Sequence, residues 1–143
     1  MKLKKIGQEV AGFTLIEVLS TIVIAGILMA IATPRFYALL PGIRVASAAR
    51  QVATDLQLAR MRAIAQRTAK TVTFTPPNVY TFDADTRNLS LLFPGTTVTV
   101  NPGNPTFTTV GGNNALAITT ITLTNNGIIR TVTVNAAGKI FTQ

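Results

Sequence analysis

From Phe13 to Thr33 the chain runs for twenty-one residues with a single charge, Glu17. No other feature restricts the possible folds as much. At about 1.5 Å per residue, an all-helical segment of this length spans a hydrocarbon core of roughly 30 Å. A secretory signal has a shorter apolar region, about 7–15 residues, before a small-residue cleavage site. Ala30, Ala32 and Thr33 offer such a site, so signal and anchor both stay open on this run alone. Lys2, Lys4 and Lys5 precede the run and favour a cytoplasmic N-terminus, with the bulk of the chain beyond Pro34 on the far side. Glu17 is the anomaly. A charge at the bilayer centre costs roughly 2.5–3.5 kcal/mol or more, so a carboxylate there is expected to have a partner.

Composition narrows the chemistry. The 143 residues include neither Cys nor His. Disulfide staples, thiolate metal sites, imidazole-dependent triads and the usual zinc sites are excluded. Apolar residues make up 48% and charged residues 13%, which fits an anchored globular protein better than a disordered one. The net charge is +8, and most of the surplus lies beyond the basic leader. Such a surplus serves solubility and attraction to anionic surfaces, nucleic acid among them.

The segment Gly12 to Leu19 reads GFTLIEVL, between a basic leader and the apolar run. A glycine, an aromatic, an apolar stretch and a glutamate four residues after the aromatic resemble the processing motif of bacterial type IV prepilins. The resemblance implies cleavage between Gly12 and Phe13 by a membrane prepilin peptidase and N-methylation of the new Phe13 amine. It also implies an assembly role for Glu17, whose carboxylate would pair with the N-terminal ammonium of a neighbouring subunit. Both groups are withdrawn from water there, which strengthens their attraction and makes an unpaired one costly. Gly26 weakens a helix and Pro34 removes a hydrogen bond. They either bracket a segment that loosens on assembly, as in some filaments of the family, or mark an ordinary kink.

From Arg44 to about Lys70 the periodicity is helical. Val45, Ala49, Val52, Leu56, Ala59 and Ala63 form one apolar stripe, widened by Ile64. Arg44, Arg50, Arg60, Arg62 and Arg67 fall mostly off it, with Asp55 the one acid. They form either a solvated face or a basic track toward subunits, headgroups or DNA. Pro41-Gly42 is expected to bend the chain ahead of this stretch. Thr71 to Thr73 and Pro76-Pro77 are expected to end it.

The remainder is rich in Thr, Val, Asn and Gly. Val72 to Thr75, Val79 to Phe82 and Leu89 to Phe93 are strand candidates. Asn101 to Pro105 and Gly111 to Asn114 read as loops. Ile121 and Leu123, then Val132 and Val134, alternate with threonines around the turn signal Asn125-Asn126-Gly127. A second turn at Asn135 to Gly138 leads to a last strand, Lys139 to Thr142. A helix followed by an antiparallel sheet on its stripe gives an α+β architecture. The expected division is a leader over 1–12, a transmembrane helix over 13–33, an amphipathic helix over 34–70 and a β-rich extracytoplasmic domain over 71–143. The text DLQLARMRAIAQRTAKTVTF, and the closing TITLTNNGIIRTVTVNAAGKIF, resemble pseudopilins of the GspH/FimT type. Major pilins of the wider family often carry a C-terminal disulfide loop, so the lack of Cys favours a minor subunit or pseudopilin.

No catalytic residues, metal site or cofactor are expected. Asp83, Asp85 and Asn88 superficially resemble a calcium loop, but Arg87 among them favours a polar hairpin turn. Asn101 to Pro105 lacks the Lys and helix of a phosphate loop. The resemblance implies a structural subunit of a type IV pilus or type II secretion pseudopilus in the inner membrane, with prepilin peptidase and other pilin subunits as partners. The alternative is a DNA-binding minor pilin acting in DNA uptake. Arg130 and Lys139 are its candidate contacts, although the Gly-Arg-x-Arg type of motif is replaced by Gly138-Lys139-Ile140-Phe141. A lone membrane anchor carrying a β-domain is the third possibility.

Overall fold

The computed structural model describes residues 12–114 and 118–143. The expected leader, apart from Gly12, lies outside them. The chain divides into two units, residues up to Ala38 and Leu39–Gln143, and helix α1 (Leu15–Gln66) contributes to both.

In the first unit α1 carries helical backbone through Gly26 and Pro34, with its apolar side chains exposed. It is the one described helix long and apolar enough to cross a membrane. In the second unit Pro41-Gly42 does not interrupt the helix, contrary to expectation. A proline forfeits a single hydrogen bond, and helix propagation is cooperative across such a gap when packing holds the following turns. Those turns bury Val45, Ala48, Ala49, Val52, Leu56, Ala59 and Ala63 completely or nearly so. The expected stripe is therefore the core face, except that Ile64 stays exposed.

The helix ends at Gln66, four residues before the expected Lys70. Arg67 takes φ 50°, its N–H bonds to the Ile64 carbonyl, and the Thr68 N–H reaches the Ala63 carbonyl. These two bonds form a Schellman motif, which satisfies carbonyls left over at the helix end. Its left-handed residue is an arginine rather than a glycine, so the stop was not visible in the sequence.

The core on this stripe is built by two four-stranded antiparallel sheets, not one. The first has the order β3-β2-β1-β5, from β1 (Lys70–Thr75), β2 (Val79–Phe82), β3 (Asp85–Asn88) and β5 (Thr106–Phe107). The second has the order β4-β6-β7-β8, from β4 (Thr97–Asn101), β6 (Thr119–Asn125), β7 (Ile128–Val134) and β8 (Ile140–Thr142). The β6-β7-β8 meander and both of its turns match expectation. Asn126 and Gly127 take φ 47° and 80°, as a two-residue type I′ turn requires. Leu89 to Phe93, expected as a strand, is the short helix α2 (Leu89–Leu92) instead. The Asn88 side chain accepts from the Ser90 and Leu91 N–H groups and caps it, a local bond that competes with extension.

Alternation places Val72, Phe74, Tyr80 and Phe82 from the first sheet in the core, with Val98, Ile121, Leu123, Val132 and Val134 from the second. The buried helix face is mostly alanine and valine, so the bulk filling the interior comes from the sheets. Where the sheets adjoin, prolines stand at the ladder ends. The Val98 N–H of β4 reaches the Pro77 carbonyl in the β1–β2 turn at 2.6 Å, whereas the Val72 N–H bond to the Pro105 carbonyl at 3.0 Å extends the β1–β5 pairing within the first sheet. Proline has no N–H to return, so the Val98 contact runs one way, and no strand ladder crosses the seam.

Candidate functional site

Helix α1 begins one residue after Thr14. The Thr14 hydroxyl accepts the Glu17 N–H at 3.3 Å, and the Thr14 carbonyl accepts it at 3.1 Å. Thr14 and Glu17 occupy the first and fourth positions of a capping-box sequence, and Glu17 lies in the first turn, where the helix dipole favours a negative charge. The hydroxyls that follow are satisfied within the helix. Ser20 donates to the Glu17 carbonyl, Thr21 to the Glu17 and Val18 carbonyls, and Thr33 to the Met29 carbonyl. This is how hydroxyls are accommodated in a hydrocarbon environment. The Glu17 carboxylate, by contrast, has no side-chain partner among the described residues. Pro34 leaves the Ala30 carbonyl without its N–H donor four residues on.

Arg130 and Lys139 lie in the second unit beside two grooves between α1 and the last two strands. One groove, about 400 Å³, is lined by Arg60, Met61, Ile64, Lys139 and Ile140 among others. The other, about 370 Å³, is lined by Ala46, Ala49, Arg50, Arg130 and Thr142. Each C-terminal cation thus shares a groove with an arginine of the helix, a pairing the sequence did not reveal. Arg60 Nε donates to the Gly111 carbonyl at 2.8 Å, and the Lys139 ammonium lies 5.1 Å from the Phe141 ring centre. Gly111 and Gly138 both take positive φ, 81° and 71°. Their backbones approach so closely that a Cβ on Gly138 would fall 1.9 Å from the Gly111 oxygen.

Two acids of this unit, Asp55 and Asp83, are used structurally. Asp55 is buried in the helix face against β2, where the Tyr80 hydroxyl donates to it at 2.6 Å and the Gln51 amide at 3.2 Å. Arg87 Nε lies 3.9 Å away. Burial, then the Asp55 hydrogen bond and charge, push the Tyr80 phenol far above its ordinary value, against a smaller opposing effect of Arg87. Sequence reading placed Asp55 off the stripe. Its position beside Val52, Ala59 and Leu56 on the helical wheel was the available signal.

Asp83, in the β2–β3 hairpin, bonds the Lys70 ammonium at 2.8 Å and Arg62 at 2.9 Å. Those hydrogen bonds, Lys70 first, hold its carboxyl below the ordinary aspartate value. The Asn88 side chain caps α2, so Asn88 and Asp83 of the set that resembled a calcium loop are engaged in separate contacts. Among the described residues no cluster of three acids, histidines or cysteines exists.

Comparison with known proteins agrees with both ends of the chain. The family described as type II transport protein GspH matches residues 48–138, and the prokaryotic N-terminal methylation motif matches residues 9–33. Two crystal structures of the type IV minor pilin FimU of Pseudomonas aeruginosa share the fold at 20% sequence identity. One superposes with a TM-score of 0.60 over 69% of this chain and 87% of that one. The other gives 0.57 over 68% and 90%. No curated protein matches by sequence. The methylation motif implies processing by a prepilin peptidase, and the single apolar helix is consistent with single-pass anchoring as in pilins. With the GspH match extending over more than half of its length, the chain belongs to the GspH family of type IV minor pilins and pseudopilins, structural subunits rather than enzymes.

Proposed function

We propose that the protein is a minor structural subunit of a type IV pilus or type II secretion pseudopilus. It is made as a precursor in the inner membrane, cut between Gly12 and Phe13, methylated at the Phe13 amine and assembled through α1, with residues beyond Thr33 extracytoplasmic. The observation that carries the reading is Glu17. It is an exposed carboxylate on an apolar helix, without a side-chain partner among the described residues, while the neighbouring Ser20 and Thr21 hydroxyls bond within the helix, and a partner from another molecule would satisfy it. The neighbour's Phe13 ammonium supplies the matching charge, and the pair favours insertion in register. Pro34 and Gly26 are the positions where this helix loosens most readily during assembly.

Glu17→Ala tests the pairing. The variant should insert and be processed normally, while its recovery in sheared filaments falls at least tenfold. Full incorporation would refute the pairing. Mass spectrometry of the mature N-terminus tests the processing: methylated Phe13 is expected, and an uncut Met1 or a cut near Ala32 would overturn it. The DNA-uptake reading has less support. Gly138-Lys139-Ile140-Phe141 stands where the Gly-Arg-x-Arg type of motif would be.

A further inference from the structure

The two grooves share a wall, strand β8, and β8 is an edge. It pairs only with β7. Thr131 and Gln143 exchange both of their backbone hydrogen bonds at 2.9 Å, and Asn135 donates to the Lys139 carbonyl at 3.1 Å. In an antiparallel ladder the hydrogen-bonding direction alternates with each residue. The N–H and C=O groups of Ile140 and Thr142 therefore face away from β7. Those same residues line the grooves, Ile140 the first and Thr142 the second. Two donors and two acceptors in strand geometry are thus left open along the β8 edge, beside the two grooves.

The surroundings state what fits. Arg60 and Lys139 flank the first groove and Arg50 and Arg130 the second, and no acid lines either. The exposed apolar side chains of Met61 and Ile64 stand beside Arg60 in the first groove. Open strand edges are recognised by extended segments that add a strand, with alternate side chains giving specificity. Arg50 and Arg60 are ten residues apart on α1, about 15 Å along its axis. An extended chain covers that distance in roughly four residues. The matching pattern is two acidic side chains four apart on the same face.

This chain has little of that kind to offer. Among the described residues Asp55 is buried, Asp83 is held by two cations, Glu17 lies in the apolar helix and Asp85 already sits in β3 opposite Phe82, while the net charge of +8 opposes self-association. We infer that the β8 edge, between α1 cations Arg50 and Arg60 and sheet cations Arg130 and Lys139, takes an extended acidic segment of a different protein as an added strand. The inference goes beyond the filament role of Glu17 and stands or falls separately from it.

The test uses the full chain in detergent micelles and a fluorescent ten-residue peptide with two glutamates four apart around a central valine, followed by anisotropy. A peptide with lysines at the glutamate positions is the control. Thr142→Pro is the decisive variant, because the Thr142 N–H has no part in pairing with β7 and its loss blocks only the incoming strand. The glutamate peptide should bind at least tenfold more tightly than the control. Thr142→Pro and the double variant Arg50→Ala/Arg130→Ala should each weaken it about tenfold, with the circular dichroism spectrum unchanged. The Ile140 and Thr142 amides should gain hydrogen-exchange protection in the complex. Equal binding of both peptides would overturn the inference. So would loss of binding in the charge variant but not in Thr142→Pro, with competition by a DNA duplex, which would mark a nucleic-acid surface. Self-association abolished by Thr142→Pro would overturn the choice of occupant.

Discussion

Replacing Gly138 with alanine puts a methyl group into space already filled by backbone. The new Cβ would lie 1.9 Å from the Gly111 carbonyl oxygen and 3.0 Å from Arg60 Nε. Neither neighbour is a flexible chain end, since Arg60 Nε is itself fixed to that carbonyl at 2.8 Å. Two costs combine. A non-glycine residue at φ 71° costs about 1–2 kcal/mol. Moving the Gly111 carbonyl out of the way breaks a charge-assisted, partly buried hydrogen bond of about 1.5–3 kcal/mol. The expected loss is about 3–5 kcal/mol. Gly127 supplies the control. Its φ is 80°, but nothing lies within 4 Å of its added Cβ, so Gly127→Ala isolates the backbone cost of about 1–2 kcal/mol. Thermal unfolding of the full chain in mild detergent, followed by circular dichroism, compares the two. At roughly 4 °C per kcal/mol for a folded unit of this size, Gly138→Ala should melt about 12–20 °C lower and Gly127→Ala about 4–8 °C lower. Equal shifts for the two variants would refute the close approach of the two glycine loops.

Tyr80→Phe removes the 2.6 Å donor to buried Asp55 and should destabilise the second unit by about 1.5–3 kcal/mol in denaturant titration. The Tyr80 phenol is raised above its ordinary value of 10.0, so its contribution is complete below pH 10 and is lost as pH rises further. Alkaline difference absorbance should show Tyr80 ionising only together with unfolding, and ionisation before loss of the circular dichroism signal would contradict this. Asp83 has the opposite sign. Its carboxyl is held below 3.8, so its contribution is present above that value and is lost as pH falls through the lower folded value. Asp83→Asn should flatten the acid limb of the stability profile below about pH 4, and only slightly, because the pair is solvent-exposed. Leu56→Ala, at a fully buried position, should cost about 2–5 kcal/mol, and a loss under 1 kcal/mol would place Leu56 outside the core.

Local patterns were legible in the sequence wherever one face of an element meets the core. The stripe from Val45 to Ala63, the alternation of Ile121, Leu123, Val132 and Val134, and the Asn126-Gly127 turn are all of this kind. Strand β4 carries the same Thr-Val alternation as β7 and was open to the same reading. What stayed hidden depends on contacts between distant residues. Asp55 is a core residue because Tyr80 lies twenty-five positions away with a hydroxyl to give it. Ile64 drops out of the core because it stands on the helix face of Arg60 and Met61, which lines the first groove. Leu89 to Phe93 turns helical because Asn88 caps it. At the assembly end, the motif around Glu17 was plain in the sequence, whereas the grouping of Arg130 with Arg50 and Lys139 with Arg60 required the fold.

The proline seam between the two sheets has a mechanical consequence. Single backbone bonds join the two sides, the Val98 N–H to the Pro77 carbonyl and the Asn113 N–H to the Ala136 carbonyl. No strand ladder crosses, so a one-residue slip or an insertion in the β2–β3 hairpin is not passed on as a register shift of the β6-β7-β8 meander. The two sheets are therefore insulated in register while sharing one core on α1. A subunit built this way can vary one sheet, with its edge and loops, without re-threading the other. Native-state hydrogen exchange would see this as two separately opening sets of amides on a common helix.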